Sequence, residues 1–368
     1  MDKMKLLVFI DQMEVGGAGR VCSILINELV KRGYEVILST ALRYHAINYH
    51  ISEAVIVKEW FDPKPIKHGV WGRLVNMYNR HKYFRRILKE VAPDVIIVFM
   101  HGMFFYVKAW SYGYNIPIIV SDHTSMGRDL GRFANFIRHK YYAKADAVTI
   151  LTEKDSILVG DSLPNKVVVY NPVTFDIYNG DFTRNKNILC VGRKDSWSVK
   201  GFDRMIEVWS RLACRYPEWK LEIVGPSSPK SENQLRSMID KFNISERVTL
   251  VENKIDMQSI FRQSTIFALP SRVEGFPIVL LEAMSQGCAC ISFSMQGAIE
   301  EIISNGNDGD IVDDNDLMTF EEKLEELILN EDKREAYSIN ARNNVARFSI
   351  KSFVDKWEDI INDIRIKR

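Results

Sequence analysis

Two glutamates bracket the stretch of the chain best suited to chemistry, Ser271-Arg272-Val273-Glu274-Gly275-Phe276-Pro277-Ile278-Val279-Leu280-Leu281-Glu282-Ala283-Met284. It follows an apolar run, Thr265 to Leu269, that reads as a strand, and it continues into a helix expected over Pro277 to Gln286. Pro277 suits a first helical turn, where the N–H it lacks has no intrahelical partner anyway. The backbone at that start, across Gly275, Phe276, Pro277, Ile278 and Val279, offers amides without a helical acceptor. Together with the helix dipole they form a site for an anion such as a diphosphate. Glu274 precedes the helix, and Glu282 is expected about two turns along it. The two carboxylates therefore serve different parts of one ligand, Glu282 accepting from a ribose diol and Glu274 from a sugar. Spacing alone is equally compatible with an ordinary strand–turn–helix.

Arg193 and Lys200 lie in the loop after a strand expected over Asn187 to Val191. Two cations there can neutralise a diphosphate and then stabilise its charge as it departs. Gly16 and Gly17 open a Gly16-Gly17-Ala18-Gly19 loop after the strand Lys5 to Ile10, where glycine lets backbone approach a ligand closely. A nicotinamide dinucleotide fits poorly: the spacing is G-G-x-G, and the second strand ends in Leu38-Ser39-Thr40 with no acid for a ribose. His123 follows the strand Ile116 to Asp122 and so stands at a carboxyl end. Asp308-Gly309-Asp310 is a D-x-D string, read as a solvated turn; no metal site is expected.

The elements that must position these residues come in two alternating series. In the first half, strands at Lys5–Ile10, Tyr34–Thr40, Val95–Met100, Pro117–Ser121 and Ala147–Leu151 alternate with helices such as Arg20 to Arg32, whose apolar residues recur near every 3.6 positions before Gly33. A boundary falls near Tyr170-Asn171-Pro172-Val173, followed by a polar stretch from Asn179 to Asn187. The pattern then restarts with strands at Asn187–Val191, Leu221–Val224, Val248–Val251, Thr265–Leu269 and Ala289–Phe293 and a helix over Phe202–Arg215. The expected class is α/β, two doubly wound parallel sheets in tandem, each binding ligands outside the carboxyl ends of its strands.

At this point the order of motifs resembles that of family 4 glycosyltransferases, retaining enzymes of the GT-B architecture, in which two Rossmann-like domains face each other across a cleft. The resemblance rests on Glu274 to Glu282 with seven residues between them, and on Val191-Gly192-Arg193, Lys200-Gly201-Phe202-Asp203, Glu222-Ile223-Val224-Gly225 and Ala268-Leu269-Pro270-Ser271. In the first half it rests on Gly16-Gly17, His123 and Tyr170-Asn171-Pro172. It implies an acceptor domain over residues 1–172, a nucleotide-sugar domain over 187–348, and a last helix, 349–368, returning to the first domain. It implies catalytic roles for Glu274, Arg193, Lys200 and His123, and donor-binding roles for Gly16, Gly17, Glu282 and the backbone from Gly275 to Val279. One departure stands out: the family's arginine and lysine are five positions apart, whereas here they are seven apart, with Asp195-Ser196-Trp197-Ser198 intervening.

The expected reaction is transfer of a sugar from a nucleotide donor, UDP-linked, to a saccharide or lipid-linked acceptor of a surface polysaccharide, without a metal cofactor. Front-face attack, the leaving phosphate taking the acceptor's proton, is expected. An epimerase of the same fold and a non-catalytic sugar-nucleotide-binding subunit are the alternatives. The 368 residues are 46% hydrophobic and 26% charged, a composition of two folded domains. Cys22, Cys190, Cys214, Cys288 and Cys290 lack paired spacing and are read as reduced, buried thiols of a cytoplasmic protein. The apolar run Leu6 to Ile10 is too short for a signal peptide, and no run reaches the roughly 18 residues that span a bilayer. From Lys64 to Lys89, eight cations without an acid interleave with Trp71, Tyr78, Tyr83 and Phe84. That mixture suits an anionic membrane surface; no nucleic-acid partner is expected.

Overall fold

The computed structural model describes residues 3–13, 16–40, 46–59, 69–180, 184–252, 256–295 and 299–366. The chain divides into two compact units, one of Met1–Tyr170 with Ile350–Arg368 and one of Asn171–Ser349. Each is built on a parallel sheet.

In the first unit the chain runs β1 (Lys5–Phe9), α1 (Gly17–Lys31), β2 (Glu35–Thr40), β3 (Ile56–Glu59), α2 (Gly69–Val91), β4 (Val95–Phe99), α3 (His101–Trp110), β5 (Ile118–Ser121), α4 (Arg132–Phe136), β6 (Ala147–Ile150), α5 (Glu153–Val159) and β7 (Lys166–Val168). The sheet order is β3-β2-β1-β4-β5-β6-β7, all parallel, so the order reverses between β1 and β4. Central strands carry unbroken apolar runs, Leu6 to Phe9 in β1 and Val95 to Phe99 in β4, because helices cover both faces. The edge strand β3 (IVKE) is half-exposed and was not legible as a strand. Helix α1 begins at Gly17, earlier than the expected Arg20. Gly16 is extended, and its carbonyl accepts from the Arg20 amide at 3.2 Å to close the first turn, so most of the glycine run is helix and not loop.

In the second unit the chain runs β8 (Asn185–Val191), α6 (Phe202–Leu212), β9 (Lys220–Val224), α7 (Pro229–Lys241), β10 (Val248–Val251), α8 (Met257–Gln263), β11 (Ser264–Leu269), α9 (Ile278–Ser285), β12 (Ala289–Phe293), α10 (Ile299–Ile302), β13 (Asp310–Val312), α11 (Leu317–Leu329) and α12 (Glu331–Val345). The order β10-β9-β8-β11-β12-β13 reverses between β8 and β11. Trp209, Phe202, Ile206 and Leu212 of α6 are buried against this sheet. The last helix, α13 (Ile350–Ile366), packs on α1 of the first unit, where Arg32 pairs with Asp355 at 2.7 Å and with Glu358.

Two readings from composition are corrected. Cys22, Cys190, Cys288 and Cys290 are buried, but Cys214, just past α6, is exposed. Asp308 and Asp310 are not a solvated turn: they are 1% and 2% exposed. Asp308 accepts from the Ser304 amide at 2.8 Å and from Asn344 at 2.6 Å, while Asp310 accepts from Tyr337 at 3.1 Å and pairs with Lys333 at 3.0 Å. An acidic string beside glycine reads as surface, yet here each carboxylate closes a loop against α12.

The loop after β5 is held by a residue that the sequence did not single out. Arg138 lies in a π-helical turn, Ile137–Tyr141, and is fully buried. Its Nε donates to Asp122 at 2.9 Å, and its other nitrogens donate to the carbonyls of Thr124 and Ser125 at 2.8 Å and of Arg128 at 3.2 Å. Tyr142 donates to the same Asp122 carboxylate at 2.9 Å; burial, then the Asp122 charge, push its phenol well above its ordinary range. Removing one partner of a buried pair strands the other charge, at a cost of about 3–5 kcal/mol. Arg138→Met should therefore lose stability of that order in urea unfolding, and Arg138→Met with Asp122→Leu should recover part of it. A loss for the single variant below about 1 kcal/mol would show that the pair does not hold this loop.

Candidate active site

In an open parallel sheet, ligands bind at the carboxyl edge where the strand order reverses, because the loops on either side turn away from one another there. In the second unit that point lies between β8 and β11, and the loops leaving those strands carry Arg193, Lys200 and Glu274. Backbone crowding brings these loops together. A Cβ on Gly201 (φ 67°) would fall 1.8 Å from the Pro270 carbonyl oxygen, and one on Gly225 (φ 155°) would fall 1.9 Å from that of Gly192. Only glycine admits such contacts. The aliphatic stem of Lys200 then lies over Gly192, where a Cβ would meet its Cγ, Cδ and Cε at 3.1–3.2 Å.

That stem aims the Lys200 ammonium at Glu274, and Nζ is 2.8 Å from Oε1. Ser271 donates to the same oxygen at 2.7 Å. The flanking Arg272 is a strut: its amide donates to Val199 O at 2.8 Å, and its guanidinium engages both oxygens of Asp203 at 2.8 and 2.7 Å. The structure thus joins two of the proposed catalytic residues directly. Arg193 lies on the same edge, exposed, at the end of β8.

Helix α9 begins at Ile278. Pro277 is its N-cap, with extended backbone (φ −72°, ψ 104°), one position before the first turn in which it was expected. Phe276 can offer only backbone to a ligand, since its ring is buried edge-on against Phe348 with centroids 5.3 Å apart. Its carbonyl accepts from Asn171 at 2.9 Å, which gives the Asn171-Pro172 motif a structural task. Glu282 is four residues past the first helical residue, little more than one turn along and not the two turns expected. It is 2% exposed, and its Oε1 accepts from Thr174 at 2.5 Å. The sequence reading missed Thr174, which becomes visible only once residues 171–178 are seen to run along α9, with Gln286 donating to Asp176 O at 2.8 Å and the Tyr178 amide to Ser285 O at 3.0 Å.

The remaining candidates belong to the first unit. Gly16 follows β1 at the point where that sheet's order reverses, and Gly17 opens α1. The Tyr49 hydroxyl clasps Gly16, accepting from its amide at 2.6 Å and donating to its carbonyl at 2.7 Å. A Cβ on Gly16 would meet nothing within 4 Å, and its φ of 168° is open to any residue, so the described chain itself does not require glycine there. His123, two strands away, stacks on Phe99 with rings 6° from parallel and centroids 5.2 Å apart. Its Nε2 is 3.0 Å from Ser121 Oγ, to which Thr149 donates at 3.0 Å. The Asp122–Arg138 pair fixes the backbone on either side of it. Among the described residues no group of three or more His, Cys, Asp or Glu side chains is arranged to hold a metal ion.

Comparison with known proteins bears on both units. Residues 15–176 match the family described as Glycosyltransferase Family 4, and residues 178–344 match Glycosyl transferases group 1. The chain is 29% identical to the amylovoran biosynthesis glycosyltransferase AmsD of Erwinia amylovora, over 97% of this chain and 99% of that protein. It is 24% identical to an α-1,4-N-acetyl-D-galactosaminyltransferase of Campylobacter jejuni acting on a GalNAc-containing undecaprenol diphosphate, over 98% of this chain and 99% of that one. Its fold is similar to that of Anabaena HepE in complex with UDP and glucose, with a TM-score of 0.79 at 16% identity over 98% of this chain and 100% of that one. With two Rossmann-like units, the reversal point of the second carrying Lys200 against Glu274, and a family match for each half, the chain belongs to the family 4 and group 1 glycosyltransferases of the GT-B fold.

Proposed function

We propose that this glycosyltransferase moves a sugar from a UDP-linked donor to a saccharide or lipid-linked acceptor during assembly of a bacterial surface polysaccharide. In this reading the anomeric configuration is retained and no divalent cation is needed. The observation that carries it is the Lys200–Glu274 pair at the reversal point, next to the start of α9. The relatives named above support the acceptor class, and HepE, solved with UDP and glucose, supports the donor nucleotide.

The chemistry follows from where charge must go. A nucleotide-sugar diphosphate carries negative charge on binding and gains more as the bond to the sugar breaks. Arg193, Lys200 and the leading amides of α9 supply fixed positive potential for it. Glu274 accepts hydrogen bonds from the donor sugar, and Glu282 joins a ribose hydroxyl to the carboxylate that Thr174 already engages. The acceptor hydroxyl attacks the anomeric carbon from the face of the departing phosphate. The carbon–oxygen bond to phosphate breaks with its electrons passing to that oxygen, which takes the acceptor's proton. His123 touches the donor sugar, and Gly16 and Gly17 leave room for the donor phosphates and the acceptor. The open space at the Gly16 Cβ position supports that role. The engagement of Asp308 and Asp310 in loop closure supports metal independence.

Incubation with α-linked UDP-sugars and a lipid-linked saccharide should yield an α-linked product by NMR, in excess EDTA as well as without it. A β-linked product, or activity lost to EDTA and restored by manganese, would refute the corresponding part. Sugar interconversion without acceptor would favour an epimerase. Lys200→Ala and Arg193→Ala should lower kcat more than donor affinity.

Gly16→Ala provides a second check. Its stability should stay within about 1 kcal/mol of wild type, because a poorer N-cap is offset by a less flexible unfolded chain. Its kcat/KM should fall at least about tenfold, a loss of roughly 1.4 kcal/mol in transition-state stabilisation. Unchanged turnover would remove Gly16 from the site.

The enzyme works at an anionic membrane face through the start of α2. Val70, Trp71 and Tyr78 are 74%, 81% and 64% exposed, with Leu74 and Met77 beside them, and Arg73 and Lys82 flank this apolar side. Two expected contributors differ: Phe84 is buried in the core, and Arg85 donates to Tyr112 O at 3.0 Å. Lys64 and Lys67 lie outside the described residues. Among the described residues no helix is long and apolar enough to cross a membrane. Aromatic rings at the interface and cations at about 1 kcal/mol each near anionic lipid would hold the protein peripherally. Wild type should co-sediment with phosphatidylglycerol vesicles at low salt and be released as salt shortens the Debye length to about 3 Å near 1 M. Trp71→Ser with Tyr78→Ser should weaken binding at least about threefold; equal sedimentation would leave this face without a membrane role.

A further inference from the structure

The loop between Arg193 and Lys200 is two residues longer than the family spacing, and the structure shows what its residues do. Beyond the strand ends, the Gly192 amide donates to Val224 O and the Lys194 amide to Pro226 O, both at 2.9 Å, so β8 continues as a ladder rung past Val191. Side chains alternate along such a ladder, and Arg193 and Lys194 therefore leave on opposite faces. Arg193 is exposed, whereas Lys194 is fully buried. The Lys194 ammonium is 3.0 Å from Glu232 Oε2, in the first turn of α7, and donates to Val251 O at 3.2 Å at the end of β10. Burial pushes the Glu232 carboxyl up, but its bonds from Lys194 and Ser227 prevail and hold it below its ordinary value.

The next residues fasten the loop to the same helix. Asp195 Oδ1 accepts from the Ser228 amide at 2.9 Å, the Ser228 hydroxyl at 2.5 Å and the Ser231 hydroxyl at 2.6 Å, which caps α7 from a different segment of chain. A 3-10 turn closes as the Ser196 amide meets Arg193 O at 3.0 Å, and Trp197 Nε1 reaches Gln234 of α7 at 3.2 Å. A charge pair with one member buried, as Lys194 is here, is weak evidence for stability compared with apolar side chains of the same size. Its value here is geometric, since it sets which face each neighbouring side chain takes.

We infer that Lys194 is a positioning residue: paired with Glu232 beneath the loop, it holds the extra residues against α7 and keeps Arg193 turned to the open face where the donor diphosphate departs. The inference rests on the role proposed above for Arg193. Lys194 touches neither donor nor acceptor, and its effect on transfer passes through Arg193.

A double-mutant cycle with Lys194→Met and Arg193→Ala reads this out as kcat and donor KM. Lys194→Met should lower kcat about tenfold while KM moves less than about threefold, and adding it to Arg193→Ala should cost no more than about twofold further. Lys194→Arg should restore part of kcat. Losses that multiply in the double variant, or a wild-type kcat for Lys194→Met, would overturn the inference. Glu232→Gln, which removes the partner's charge from the α7 side, should reproduce the kcat loss and stands in if Lys194→Met does not fold. A spin label at Arg193→Cys in a Cys214→Ser background gives a readout independent of turnover. Its motion should increase on adding Lys194→Met or Glu232→Gln, and an unchanged line shape would overturn the anchoring. If Arg193→Ala keeps wild-type kcat while the label still loosens, the role of Arg193 in departure of the diphosphate fails and the anchor stands.

Discussion

Backbone meets backbone at the carboxyl edge of the second sheet, with no side chain to separate the segments. Pro270 O occupies the space that a Cβ on residue 201 would need, and Gly192 O does the same at residue 225. The rest of that edge depends on this closeness. Because the two loops nearly touch, the Lys200 stem can lie over Gly192 and its ammonium can reach Glu274. The Arg272–Asp203 pair and the bond from the Arg272 amide to Val199 O then lock the loops in that relation. A site of this kind is held by short covalent spans from rigid strands, which is how a loop can keep charged groups within a few tenths of an ångström of where they must act.

The first unit reaches the same end by other means. In its loop after β5 a buried arginine collects the loose carbonyls of residues 124, 125 and 128 while Asp122 balances its charge. His123 is thereby placed beside the Asp122–Arg138 pair and stacked on Phe99 of the neighbouring strand. A π-helical turn supplies the arginine, consistent with the frequent appearance of such turns near functional sites.

Residue type alone did not set the environment of these side chains; packing did. Lys194 and Lys200 lie in one loop, yet one is a buried anchor and the other a partly accessible cation against Glu274. Glu274 and Glu282 belong to one motif, yet the second is nearly enclosed and already engaged by Thr174. Asp308 and Asp310 resemble a surface acidic turn and are instead structural carboxylates. Phe84 sits among basic residues in sequence but fills the core, while Trp71, thirteen positions earlier on the same helix, faces outward. In each case burial decides which partners a charge or ring meets within the fold.

Local patterning carried the architecture. Continuous apolar runs such as LLVF in β1 and VIIVF in β4 and the amphipathic α1 and α6 could be read directly, because a strand covered on both faces and a helix covered on one each have a pattern that a sequence records. The glutamate pair around Pro277 and the cations after β8 were legible for the same reason, being local motifs tied to a strand–turn–helix. The half-exposed strand β3 and the three-residue strands β7 and β13 were too short or too polar for any period to show. Tertiary structure alone decided what each charged group meets. The partners Arg138–Asp122, Lys194–Glu232, Thr174–Glu282 and Asp310–Lys333 are separated by 16 to 108 residues, and a sequence holds no local record of a contact that forms only when distant segments pack and exclude water.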